Sequence, residues 1–123
     1  MLNQKILDEE IFNKMKSTNW DTLRPIFQAL HKKILSLNKN IRGKLYTIYI
    51  QYSDKEKVVA VVYYSKSGFD IGLALPNSIK DKKLKSAKYM RYPGITKCYM
   101  VKTKKDINGK LIKWLKISKE NAL

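Results

Sequence analysis

The sequence predicts an α+β fold: a four-stranded, mainly antiparallel sheet, made of a three-strand meander plus a fourth strand, with N-terminal and C-terminal helices packed on it. Three observations predict it. Residues 44–75, KLYTIYIQYSDKEKVVAVVYYSKSGFDIGLAL, hold three apolar, β-branched and aromatic runs separated by polar breaks at 53–57 and 65–68, the pattern of an antiparallel meander. Ahead of it, Leu23, Ile26, Phe27, Leu30, Ile34 and Leu37 recur at helical spacing and form one stripe wide enough to face a sheet. Beyond it, Ile107, Leu111, Trp114, Leu115, Ser118 and Ala122 share one side of a second helical stretch. With 123 residues, 44% of them apolar, the chain reads as one domain, 1–123, with room for a core that needs no staples.

Taken in order, Ile6, Leu7, Ile11, Phe12 and Met15 give a short amphipathic helix over 4–16, within an N-terminal helical extension of residues 1–19. Trp20 opens the next helix. Asp21 or Thr22 is placed to cap it, and Pro25 is tolerated in a first turn, where backbone N–H groups lack partners. Residues 38–43 end it. Strand one is expected over 44–52, with Tyr46, Ile48, Ile50 and Tyr52 toward the core. Strand two, 58–64, is apolar on both faces and therefore central in its sheet. Strand three, 69–75, alternates: Phe69, Ile71, Leu73 and Leu75 point one way, Asp70, Gly72 and Ala74 the other. The small residues on that second face admit a close neighbour, either a packed element (most economically the N-terminal helix) or a groove.

From 76 to 94 the periodicity dissolves. Ser78 and Asp81 stand at capping-box spacing and predict a short helix over 79–87, followed by a Tyr-Pro-Gly turn. Strand four is 96–102, and nothing in it says which of its faces is inside. Thr103 and Asp106 repeat the capping-box spacing and are expected to start the last helix, firm from Lys110 because Gly109 is a poor helix former.

Charge is the unusual property. Lys plus Arg number 26 against 10 acids, a net +16, and such a field favours anionic partners. Only Arg24, Arg42 and Arg91 among these cations are arginine. A lysine excess of this kind is also what codon bias in an AT-rich genome produces. Arginine is the residue of bidentate base readout, so a lysine-rich surface points to phosphate contact. Residues 79–123 carry 14 cations and three acids, a net +11. The candidate nucleic-acid-binding residues are there: Lys80, Lys82, Lys83, Lys85, Lys88 and Arg91 in the excursion, and Lys110, Lys113 and Lys116 on the last helix. Tyr89 and Tyr92 lie among them, placed to stack on bases as aromatics do in single-strand binders. The plainer reading is a solvated lysine face whose tyrosines anchor the loop.

Catalytic chemistry is poorly supplied. His31 is the only histidine and Cys98 the only cysteine, so a zinc site has no ligand set and no disulfide is available. Gly43, Gly68, Gly72, Gly94 and Gly109 are scattered, which excludes a glycine-rich phosphate loop. Asp70 followed by Asp81-Lys82-Lys83 has the residue types of a metal-dependent nuclease site, yet the Asp81 and Lys83 positions fall in the lysine-rich excursion rather than on a strand. No catalytic residue, metal or cofactor is expected. No segment approaches the roughly 20 apolar residues of a membrane helix, and the start MLNQKILDEEIF has no signal-peptide pattern. The expectation is a cytoplasmic protein that does not engage membranes.

The order of these pieces resembles a known family. The helix WDTLRPIFQALHKKILSL, the strand LYTIYIQY, the apolar strand pair, the loop ending in YPG and the final IKWLKISKENA are similar to an uncharacterised bacterial α+β domain family sometimes labelled "predicted transport protein". That domain occurs alone or appended to restriction-type and related defence proteins. More distantly, the chain resembles YdhG-like domains and the double-wing YjbR-like domains, the latter proposed to bind DNA. Many relatives carry a Gly-His-Trp-Gly-like segment before the last strand, where this sequence has Arg91-Tyr92-Pro93-Gly94. The resemblance supplies no catalytic residue. It implies a non-catalytic accessory module of a DNA-processing or defence system, and charge adds nucleic acid, DNA or RNA, as its partner. The rival expectation is a protein-interaction or homodimerisation module that docks an acidic partner through Tyr49, Tyr63 and the Gly72/Ala74 face.

Overall fold

The computed structural model describes residues 20–46, 49–65, 67–90 and 92–122, with Trp20 described in its backbone alone. The expected helix over 4–16 and the candidate Arg91 lie outside the described residues. Helix α1 is Trp20–Leu35 and helix α2 is Gly109–Asn121. The strands are β1 (Ile41–Leu45), β2 (Tyr49–Asp54), β3 (Lys57–Ser65), β4 (Gly68–Leu73), β5 (Lys85–Ser86) and β6 (Lys97–Val101). They form one antiparallel sheet in the order β1-β2-β3-β4-β6-β5.

The α+β class and the central position of β3 hold, but the sheet has six strands, not four. The expected strand over 44–52 is a hairpin: β1 pairs with β2, Leu45 opposite Ile50 and Gly43 opposite Tyr52. The two arms do not share one phase: Ile41 and Leu45 of β1 and Ile50 and Tyr52 of β2 face the main core. Leu45 thus points inward while Tyr46, expected toward the core, stacks on Tyr49 at the opposite face, and no glycine or proline marks this reversal. The break expected at 38–43 is shorter for a related reason. Asn38 closes a tight turn, its Oδ1 accepting the Asn40 N–H at 2.9 Å and its carbonyl accepting from Ile41 at 3.1 Å. Ile41, buried in the core, then starts β1.

The helix expected over 79–87 does not form. The Asp81 carboxylate accepts the Lys83 N–H at 2.9 Å and its carbonyl accepts from Leu84 at 3.0 Å, the local turn by which aspartate competes with helix. The chain then extends into β5, which pairs Lys85 with Cys98 and Ser86 with Lys97. A short 3-10 turn, Lys88–Met90, follows. At the other end, Asp106 Oδ2 accepts the N–H groups of Lys102 and Thr103, but this box opens only the 3-10 turn Lys104–Asp106. The cap of α2 is Asn108, whose Oδ1 accepts from Leu111 at 3.1 Å.

Both helices lie on one face of the sheet. Leu23, Ile26, Phe27, Leu30 and Ile34 of α1 and Leu111, Trp114 and Leu115 of α2 are buried in one cluster with Ile50, Tyr52, Phe69, Ile71, Leu73, Tyr99 and Val101. His31 is buried within it, sharing a 2.5 Å hydrogen bond through Nδ1 with the Tyr52 hydroxyl and stacking on Phe27. Its role is structural. Between β2 and β3 the register slips at Tyr52/Ser53, leaving Val59 outside the ladder. Ser118 of α2, fully buried, answers the bulge: its Oγ donates to the Val59 carbonyl at 2.5 Å and accepts the Ala74 N–H at 2.8 Å.

The other face is covered by the chain after β5. Ala87, Met90 and Ile95 pack with Val61, Ala74 and Cys98 into a second, smaller core, flanked by Tyr49, Tyr63 and Tyr92. Of the alternatives left open for this face, a packed element is the outcome among the described residues, supplied by the segment around 87–95. Gly72 is where the cover comes closest. A Cβ there would lie 2.7 Å from Met90 Sδ, 2.7 Å from Val61 Cγ2 and 2.8 Å from Ile95 Cγ2.

Candidate nucleic-acid interface

Because β5 lies at the sheet edge, the excursion between β4 and β6 touches both faces, and it divides the basic residues between them. Residues 76–84 run along the helix side, where Ile79 and Leu84 pack against the main core. Lys110 Nζ meets Asp81 Oδ2 at 3.0 Å and fastens this stretch to the start of α2. The stretch that carries Lys80, Lys82 and Lys83 therefore meets the first turn of α2, whose Lys110, Lys113 and Lys116 are exposed. Among the described residues, none of Lys80, Lys82, Lys83, Lys113 and Lys116 meets a carboxylate within ion-pair distance. The Asp81 carboxyl is held below the usual aspartate range, first by the Lys83 N–H and then by the Lys110 amine.

Lys85, Lys88, Tyr89 and Tyr92 belong to the opposite side. Lys85 sits across from Cys98 and shares the face of Asp70. The predicted binding set is thus not one patch but two, separated by the thickness of the sheet.

Sequence reasoning put Tyr49 and Tyr63 on the Gly72/Ala74 face, as they are, and missed the rings that join them there. Cross-strand pairing sets Tyr49 opposite Tyr63, and their rings stack with centroids 5.0 Å apart. Tyr46 stacks on the outer side of Tyr49, also at 5.0 Å, with Lys44 Nζ 5.2 Å from the Tyr46 centroid. Tyr92 meets Tyr49 edge-on at 6.1 Å, and Tyr89 lies against Tyr63 at 6.2 Å. Five tyrosines from three separate stretches of chain form one row. The hairpin loop alone does not give this pairing: the register from Asp54 and Lys57 would set Tyr49 opposite Val62, and the bulge at Val59 moves Tyr63 into place.

Asp70 anchors one end of the row. The Tyr89 hydroxyl donates to Asp70 Oδ2, and the Tyr63 hydroxyl donates to the Met90 carbonyl at 3.3 Å. Burial pushes the Asp70 carboxyl above the usual aspartate range, opposed by the Cys98 thiol and the Lys85 charge. Cys98 is pushed up to about 11, by burial first and then by the Asp70 charge. It stays a thiol at neutral pH and lacks the thiolate that nucleophilic chemistry needs.

The nuclease pattern does not assemble. Asp70 is on the tyrosine face and Asp81 on the helix face, and among the described residues no group of three or more His, Cys, Asp and Glu is placed to hold a metal ion. Among the described residues, no helix is long and apolar enough to cross a membrane. Compared with protein-family models, curated proteins and solved structures, the chain shows no match.

Proposed function

We propose that the protein is a non-catalytic module that binds nucleic acid through its phosphates, working as an accessory to a DNA-processing or defence system. The observation that carries this reading is the Lys110–Asp81 contact. It joins the lysines of the excursion to those of α2, so Lys80, Lys82, Lys83, Lys110, Lys113 and Lys116 make a basic surface of two adjoining elements. Among the described residues, all of these but Lys110 meet no carboxylate within ion-pair distance, and exposed ammonium groups of that kind gain by meeting phosphates and releasing the counterions condensed there. The rival docking face has less support, because Gly72 and Ala74 are buried beneath Met90 and Ile95.

Titration of labelled DNA and RNA duplexes across a range of salt tests the reading. The affinity falls linearly on a log–log plot, with a slope near −0.9 per phosphate neutralised on DNA. Replacing Lys113 and Lys116 together by Gln weakens binding to every sequence and reduces that slope by about two. An absence of binding at low salt ends the proposal.

A further inference from the structure

We infer that the tyrosine face receives unpaired bases, so that the protein holds single-stranded nucleic acid by stacking on Tyr89 while Lys85 and Lys88 meet the flanking phosphates. The inference rests on the nucleic-acid reading above and names a second surface and a substrate class for it.

The rings of the row are not equivalent. Tyr49 is enclosed by Tyr46 on one side, Tyr63 on the other and Tyr92 at its edge, so its faces are already in use. Tyr46 carries the Lys44 amine on its ring. Tyr89, at the far end, is 58% exposed. A large aromatic left so open in water forgoes burial, and on a surface this basic it offers an anionic polymer a π-face beside its charges.

Exposure alone would describe any loop tyrosine. Two further features separate this one. Its hydroxyl is fastened to the Asp70 carboxylate, and the backbone on either side is clamped by the buried Ala87 and Met90. The ring is thus held before a ligand arrives, which removes most of the ordering cost of capturing one. Its neighbours carry the complementary charge: Lys88 precedes it and is exposed, and Lys85 is exposed in β5 on the same face. Tyr89 is tilted by 58° against Tyr63 and not stacked on it, so its ring is not taken up by the row and can meet a base. A duplex has no such base to offer, since its own are stacked on one another.

The test compares fluorescein-labelled oligothymidylate with a duplex of the same length by anisotropy at one salt concentration, with site sizes of about 4–16 nucleotides guiding the length. The expected result is that Tyr89→Ala lowers the ratio of single-strand to duplex affinity by about tenfold, the effect of losing one stacked base. Tyr89→Phe keeps the ring but loses its tether to Asp70, so it lowers the ratio by less than Tyr89→Ala does. Retained helicity and melting temperature in both variants show that the fold is intact. A ratio unchanged by Tyr89→Ala overturns the inference while leaving phosphate binding in place, and so does a duplex that binds as tightly as the single strand. If neither probe binds, the proposed function itself falls.

Discussion

The two faces of this sheet are covered by different means. On one, two helices deliver long apolar stripes, and the core beneath them contains Phe27, Leu30, Ile34, Trp114 and Leu115. On the other, a non-periodic stretch lays down Ala87, Met90 and Ile95 and leaves the tyrosines beside them half-covered. Helix burial fixes lysines outward on the thick side as a consequence of amphipathicity. The thin side fixes an aromatic row by strand register instead. A basic exterior therefore follows from the fold on the first face, whereas the exposed Tyr89 on the second does not.

If the thick side carries stability, truncating it costs more. Phe27→Ala, in the middle of the main core, is expected to lose about 3–5 kcal/mol, while Met90→Ala in the smaller core loses about 2 kcal/mol, nearer the low end for such changes. Chemical denaturation measures both. Equal losses would mean that the two cores are equally important to the fold.

Gly72 sharpens the comparison further. Adding its methyl group drives into Met90, Val61 and Ile95 at once, so Gly72→Ala is expected to cost about 1–3 kcal/mol through overpacking. Met90→Ala clears one of those contacts. The double variant is therefore less destabilised than the sum of the two single changes, and strict additivity would show that the cover does not press on Gly72.

These contrasts also explain what was legible in the sequence. The stripe from Leu23 to Ile34 and the faces of β4 could be read directly, because large side chains repeating at the helical or strand period have one place to go. Strand count could not, because the β1–β2 reversal moves the inward set from odd to even positions with no glycine or proline to mark it. The cover over Gly72 could not be assigned, since Ala87, Met90 and Ile95 follow no period. The small residues at 72 and 74 announced a close neighbour without naming it. For the candidate site, the lysine counts were readable, but their division between faces depends on β5 pairing at the edge, and two residues are too few to leave a pattern. The bulge at Val59 is invisible until Ser118, 59 residues away, is seen to satisfy it.

The smallest expected effect separates the faces by their acids. Asp81 on the helix side has its carboxyl lowered from 3.8 by the Lys83 N–H and Lys110. Its ionised form is favoured in the folded state, so its contribution is present above the unfolded value and lost as pH falls through the folded one. Asp70 on the tyrosine side is raised from 3.8, chiefly by burial. The folded protein then binds the proton more tightly than the unfolded chain, so ionising Asp70 weakens the fold once pH exceeds its folded value, and that penalty is absent below the unfolded one. Melting temperatures followed from neutral to acid pH should therefore change in opposite senses. Asp81→Asn melts below the parent at neutral pH and converges with it in acid, because the lost interaction no longer exists there. Asp70→Asn melts at or above the parent at neutral pH, since an amide can still accept from Tyr89 without being charged, and that advantage disappears as the parent's Asp70 is protonated. Parallel curves for the two variants would mean that the two carboxylates sit in equivalent surroundings, one no more buried and the other no better paired than its counterpart.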